Sequence, residues 1–387
     1  MDRRSFLIGT GTLALSQMLA GCGNQNYPSL NVKFLKDSVP NQVVQAFRSQ
    51  NQQTGKLNFA TVAQLEDLFK NLQSWQSPDL LTIGDYWLAA AIKNNLIDSF
   101  DPNALQLWSK LPLRWRELVT RNDQGVSDPQ GKVWAAPYRW GYTMIAYNRD
   151  KIKSLDLQPK DWDVLWEKKL RDRISLPSHP REVIGLILKT LGNSYNTENL
   201  SQVPKLKQQL HDLNQQVKFY SSDTYLQPLI LEDTWLAVGW SNDLIPIIQR
   251  YRQFDGVIPT SGTALWADLW VIPKDWELLW ERLKDLADLG VIPKDKALWG
   301  LLKGNALQPL SQKWIDFCWQ EQTAKQITLL SKANSPIPVE LNPANIQAEL
   351  RHLLIPNEQI FQRSEFLLPL SPETTQQYQS LWQEVRG

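Results

Sequence analysis

The stretch Val257-Ile258-Pro259-Thr260-Ser261-Gly262-Thr263-Ala264-Leu265-Trp266-Ala267-Asp268-Leu269-Trp270-Val271-Ile272-Pro273 decides how the chain is read. Two short apolar runs flank a Ser-Gly-Thr turn, and each carries a proline at its edge. Runs of about four to eight residues rich in Val, Ile, Leu and Trp read as buried strands. Trp266 and Asp268 lie two apart, so a strand points both to the same face. A carboxylate beside an indole suits an organic ammonium, because the charges pair and the indole face adds a cation–π contact. The same pattern also fits a buried Trp with an unrelated surface Asp, and the choice between them rests on the remainder of the chain.

Upstream, strand and helix patterns alternate. Leu30 to Leu35, Leu57 to Ala60 and Asp79 to Ile83 read as strands. Between them, Pro40 to Asn51 and Gln64 to Leu72 carry apolar residues at helical spacing. This predicts an α/β fold with a largely parallel sheet, in which ligands gather beyond the carboxyl ends of strands. Gly84 to Trp87 and Leu35 to Ser38 stand at such ends. Lys132 to Asn148 is a long aromatic run broken by Pro137 and Gly141, read as two strands joined by a bend that crosses between domains. The pattern then repeats: strands at Arg173–Leu176, Val217–Tyr220 and Leu236–Trp240, with a helix over Val183–Leu191. Pro180 suits the first turn of that helix, and capping is the default role for Glu182 beside it. A helix pattern covers Ser311 to Leu329, and a final one runs from Pro372 to Val385. Val271-Ile272-Pro273-Lys274-Asp275 returns as Val291-Ile292-Pro293-Lys294-Asp295, an echo too short for a fold-level repeat.

The first residues are not fold. A basic start with Arg3-Arg4 runs into a modestly apolar segment ending Leu19-Ala20-Gly21-Cys22. That is the layout of a secretory signal, too short and too polar for a stable span. The paired arginines resemble a twin-arginine export signal. Leu-Ala-Gly-Cys resembles a bacterial lipobox, which implies a signal peptide over 1–21, lipid on Cys22 and a tether over 22–28. With Cys22 so used, Cys318 has no disulfide partner and reads as a buried, inert thiol in an apolar helix.

The mature chain of about 365 residues suffices for two domains with substantial cores. Lys and Arg total 41 against 40 Asp and Glu, and no basic tract occurs, which argues against nucleic acid as a partner. Most of the 18 tryptophans must be core. The three histidines, His179, His211 and His352, lack ligand spacing, so no metal site is expected. P-loop, dinucleotide and nucleophile-elbow motifs are absent, and no cofactor or enzymatic reaction is indicated. A carboxylate-pair hydrolase stays open, since Asp and Glu roles depend on spacing in three dimensions.

From about Gly131 to Lys274 the chain resembles the spermidine/putrescine-type periplasmic solute-binding proteins of bacterial ABC transporters. The stretches that carry the resemblance are Trp134-Ala135-Ala136-Pro137-Tyr138-Arg139-Trp140-Gly141, Tyr147-Asn148-Arg149-Asp150, Arg181-Glu182-Val183-Ile184-Gly185, Val238-Gly239-Trp240-Ser241 and Gly262 to Asp268. The resemblance implies a type II fold of two α/β lobes, with the ligand trapped between them. It places lobe 1 at 29–140 plus 267–330 and lobe 2 at 141–266 plus 331–387. It assigns Asp268 to a ligand amine, Trp266 and Trp240 to its alkyl chain and ammonium, Glu182 and Ser222 to polar contacts, and Tyr86 to an aromatic contact. Phe361-Gln362 aligns with a late side-chain contact. The implied partners are a small cationic ligand and a membrane permease, with the protein a periplasmic, lipid-anchored monomer.

The chain also departs from that pattern. His179 stands where polyamine binders place an Asp, Leu35 and Ser38 stand where they place aromatics, and Gly84 replaces a hydroxyl. The stretch 275–310 is longer than the family norm and reads as a surface helical insertion. Two other readings remain: a lipid-anchored sensor without transport, and a ferric-ion binder. Iron binders of this kind use adjacent tyrosines, and the chain has no Tyr-Tyr pair.

Overall fold

The computed structural model describes residues 29–72, 77–274, 308–355 and 357–386. The export signal, the tether, Cys22 and nearly all of the 275–310 stretch, including the second copy of the echo, lie outside the described residues.

The strands, in chain order, are β1 (Ser29–Leu35), β2 (Lys56–Val62), β3 (Leu80–Gly84), β4 (Ile97–Asp98), β5 (Thr120–Arg121) and β6 (Lys132–Val133). Then follow β7 (Ala136–Asn148), β8 (Ile174–Leu176), β9 (Val217–Tyr220), β10 (Leu236–Trp240), β11 (Phe254–Val257), β12 (Ala264–Pro273) and β13 (Glu365–Phe366). The principal sheet runs β2-β1-β3-β12-β7-β10-β8-β9. At one end β2, β1 and β3 are parallel, and at the other so are β10, β8 and β9. The middle is antiparallel, because β12 and β7 run opposite to each other and to their outer neighbours. The expected parallel character therefore belongs to each half, and the two crossings break it.

The run 132–148 does hold two strands, β6 and β7, but the break falls at Trp134-Ala135 and not between Pro137 and Gly141. β7 is one 13-residue strand, pairing with β12 through Tyr142 and with β10 from Thr143 onward. Pro137 is accommodated by a bulge: Asp268 faces Arg139 and Leu269 faces Pro137, so Tyr138 is the extra residue. Its ring stacks on Trp270 at 4.2 Å, and its hydroxyl donates to Ser38 Oγ at 2.9 Å. The opening stretch is corrected at its start, since β11 ends at Val257 and pairs with β7, not with β12.

The crossing strands are buried almost throughout, and successive residues join opposite cores as a two-faced sheet requires. Met144, Ala146 and Ala237 join the core that also fills the first half, whereas Ile145, Leu236 and Val238 join the core beneath the helices Pro180–Thr190 and Leu206–Gln216. Large rings consolidate the first core, where Phe47 meets Trp314 edge-on at 5.0 Å. Cys318 is buried among them, and burial raises its thiol above the ordinary range. The helices Pro309–Trp319 and Glu321–Ser331 pack toward β1, β7 and the helix Asn41–Gln50, and the final helix Pro372–Arg386 packs on Pro180–Thr190 and Leu206–Gln216.

Candidate functional site

One face of β7 presents residues 139, 141 and 143, two apart as a strand dictates. Each stands opposite a residue singled out by the sequence, or beside one. Arg139 pairs in register with Asp268 and Gly141 with Trp266 on β12, and Thr143 pairs with Trp240 on β10. From residue 139 to residue 143, four residue steps, the strand extends about 13 Å. The side chains form a row with a charged group at either end and indoles between.

At the first end Asp268 is buried, 1 % exposed, so the surface-Asp reading is excluded. Arg139, 3 % exposed, donates from Nε to Asp268 Oδ2 at 2.5 Å. The guanidinium carbon lies 5.5 Å from the Trp266 ring centroid. Burial works against the Arg139 charge, yet Asp268 and Tyr138 together more than offset it and the guanidinium pKa is raised. Burial also pushes the Asp268 carboxyl up, with Arg139 opposing. Asp85 accepts the Ala267 N–H at 2.8 Å, and burial raises it to about 7.

In the middle, Trp266 occupies the space that Gly141 leaves. A Cβ on Gly141 would come within 2.4 Å of Trp266 Cζ2 and 2.3 Å of Ser241 Oγ. The buried Trp266 Nε1 has no hydrogen-bond partner among the described residues.

At the second end Glu182 is 5 % exposed in the first turn of Pro180–Thr190. It accepts from Thr143 Oγ1 at 2.9 Å and from Trp240 Nε1 at 3.2 Å. Its partners are thus the row, not the helix end that it was expected to cap. Burial raises its pKa, and the two donors and Arg181 hold it back. Arg181 itself turns away, donating to Leu368 O, Tyr195 O and Asn196 Oδ1. Among the described residues no cation lies within ion-pair distance of Glu182.

Across the sheet Tyr86, in the first turn of Asp85–Lys93, meets His179 edge-on at 5.2 Å. Burial lowers His179 to about 4, with Arg181 adding to the effect, so the imidazole is neutral at pH 7. Ser222 stands beside it, accepting from the Ser178 N–H at 3.2 Å. Leu35 is half-buried, and Ser38 is sealed under Tyr138. Phe361 packs on Trp140 of β7 at 4.9 Å, and Gln362 donates to Glu358 within the tail.

Arg139, Thr143 and Asp85 were not assigned roles from the sequence. Arg139 and Thr143 could have been found only through strand register; Asp85 stands directly after Gly84 at a strand end, where a signal was visible.

A family model for bacterial extracellular solute-binding proteins matches residues 76–354. The chain belongs to this family. Among curated relatives, the solute-binding protein is 22 % identical over 267 residues to a putrescine/cadaverine-binding protein of Pseudomonas aeruginosa, covering 66 % of this chain and 67 % of that one. It is 24 % identical to the spermidine/putrescine-binding periplasmic protein of Escherichia coli, over 69 % and 73 % of the two chains. With the putrescine-binding SpuD of Pseudomonas aeruginosa it shares 28 % identity over 51 % of this chain and 56 % of the relative. Among solved structures, a spermidine/putrescine transporter substrate-binding protein from Streptococcus pneumoniae superposes with TM-score 0.73 at 18 % identity, over 92 % of this chain and 98 % of that one. A periplasmic thiamin-binding protein superposes with TM-score 0.56 at 15 % identity, over 94 % and 98 %. These likenesses place the chain in the two-lobe α/β fold of periplasmic substrate-binding proteins.

Proposed function

We propose that the protein is the capturing component of a bacterial ABC importer. It holds a small organic cation of the polyamine class in the cleft and hands it to a membrane permease. The observation that carries this reading is Glu182: a buried carboxylate with two neutral donors, an indole beside it and no cation within ion-pair distance among the described residues. An ionised carboxylate so placed is costly to bury, and an incoming ammonium would offset that cost. The names of the relatives, which bind putrescine, cadaverine or spermidine, support the class. Tyr86, Trp240, Trp266 and Ser222 would line the path, with Asp268 contributing through Arg139.

The same reading has the protein exported by way of Arg3-Arg4, anchored by lipid on Cys22 and acting as a monomer in the periplasm. Among the described residues no helix is long and apolar enough to cross a membrane. Replacing Cys22 by Ser should release the protein from membranes or block its processing; unchanged fractionation and migration would refute the anchor.

Calorimetry with putrescine, spermidine and the uncharged 1,4-butanediol tests the ligand class. The amines should bind at about micromolar or tighter and the diol no better than about millimolar, a gap of about 4 kcal/mol. Glu182→Gln should weaken amine binding by about two to three decades, consistent with roughly 3–5 kcal/mol for a buried ion pair that loses one partner. Equal affinities for diol and amines would defeat the reading.

A further inference from the structure

We infer that Arg139 is a built-in occupant of one cation position, so that the buried cleft accepts a single ammonium, at Glu182, and not two. The inference rests on the cation reading of the cleft and adds which amines it selects.

Three observations carry it. Arg139 lies directly opposite Asp268 in the β7–β12 ladder, and the pair is closed at 2.5 Å with both side chains buried. The same guanidinium lies over the Trp266 ring at 5.5 Å. Both features that would attract an ammonium at this end, the carboxylate and the indole face, are therefore engaged by the protein's own cation. At the other end Glu182 has no such partner among the described residues. The nearby acids do not restore a vacancy for a second ammonium. Asp243 accepts from the Tyr225 hydroxyl at 2.9 Å and is itself influenced by the Arg139 charge, and Asp85 accepts from the Ala267 N–H.

A second ammonium arriving at Asp268 would meet a like charge. Displacing Arg139 would strand a guanidinium that is 3 % exposed without its partner. The ligand that suits the row has one charged end at Glu182 and an uncharged remainder along Trp240 and Trp266. A longer polyamine would keep its other ammonium groups outside the buried row.

The experiment compares n-butylamine with putrescine, which differ by one terminal ammonium. Wild type should bind the two within about threefold of each other. Arg139→Leu should tighten putrescine by about thirtyfold or more, a gain of about 2 kcal/mol, and leave n-butylamine within about threefold. Putrescine should also raise the melting temperature of Arg139→Leu well above the rise that n-butylamine gives, because the diamine replaces the missing cation. Arg139→Lys should behave as wild type, and Arg139→Leu combined with Asp268→Asn should lose the gain.

A wild-type preference for putrescine above about tenfold, or no putrescine gain in Arg139→Leu, overturns the inference while leaving an amine-binding protein. If Arg139→Leu does not fold alone, the wild-type ratio and Arg139→Lys still decide. Should neither amine bind any variant, the cation reading fails and the inference with it.

Discussion

Asp85 begins the helix Asp85–Lys93 from a buried position, and burial raises its carboxyl from 3.8 to about 7. A folded-state value above the unfolded one means that the folded protein binds the proton more tightly. Asp85 therefore lowers stability as pH rises from about 4 to about 7, the reverse of a carboxylate held ionised by a partner. Asp85→Asn keeps an acceptor for the Ala267 N–H and removes the titration. Its melting temperature should match wild type near pH 4 and exceed it near pH 8, by at most about 4 kcal/mol in stability. A constant offset across that range would show that the charge is not responsible. Glu182 shifts in the same direction, and there a bound ammonium favours the ionised form. Amine affinity should thus fall as pH drops, and Glu182→Gln should flatten the dependence, read by calorimetry in buffers of differing pH.

At the scale of strands, what could be read in the sequence was what local pattern controls. The apolar runs that became β1, β3, β10 and β12 sit where their composition put them, and the two-residue spacing of Trp266 and Asp268 places both on the β7–β12 face. Pairing was not legible. Arg139 and Asp268 are 129 residues apart, and only the register between two crossings makes them partners. Pro137 and Gly141 imitate a break, yet the first is absorbed by the bulge at Tyr138 and the second makes room for an indole. The role of Gly141 is open to test. Gly141→Ala pushes Cβ into Trp266 and Ser241, so it should destabilise by about 1–3 kcal/mol and weaken amine binding. Adding Trp266→Leu should recover most of the stability but not the affinity, and the coupling follows from a double-mutant cycle in urea. Additive effects would mean that the two residues do not press on each other.

Across the whole molecule the two halves touch where Tyr86, in the helix after β3, meets His179, the N-cap of the helix after β8. Hinge closure around a ligand is a common response of periplasmic binding proteins. Small-angle scattering should show contraction when a saturating amine is added, and Tyr86→Ala should speed dissociation more than it slows association. Identical scattering profiles at saturation would indicate a rigid body.

The shared strand β7 has a consequence for how such a protein can diversify. Its row of side chains lies where the two halves of the sheet join, whereas Tyr86 and His179 face each other from the segments that follow β3 and β8, one in each half. Choosiness and dwell time are therefore expected to have largely different addresses in this molecule. Changes at 139, 141 or 266 would rewrite which cargo is admitted without altering the swing. Changes at 86 or 179 would chiefly reset how long a cargo stays.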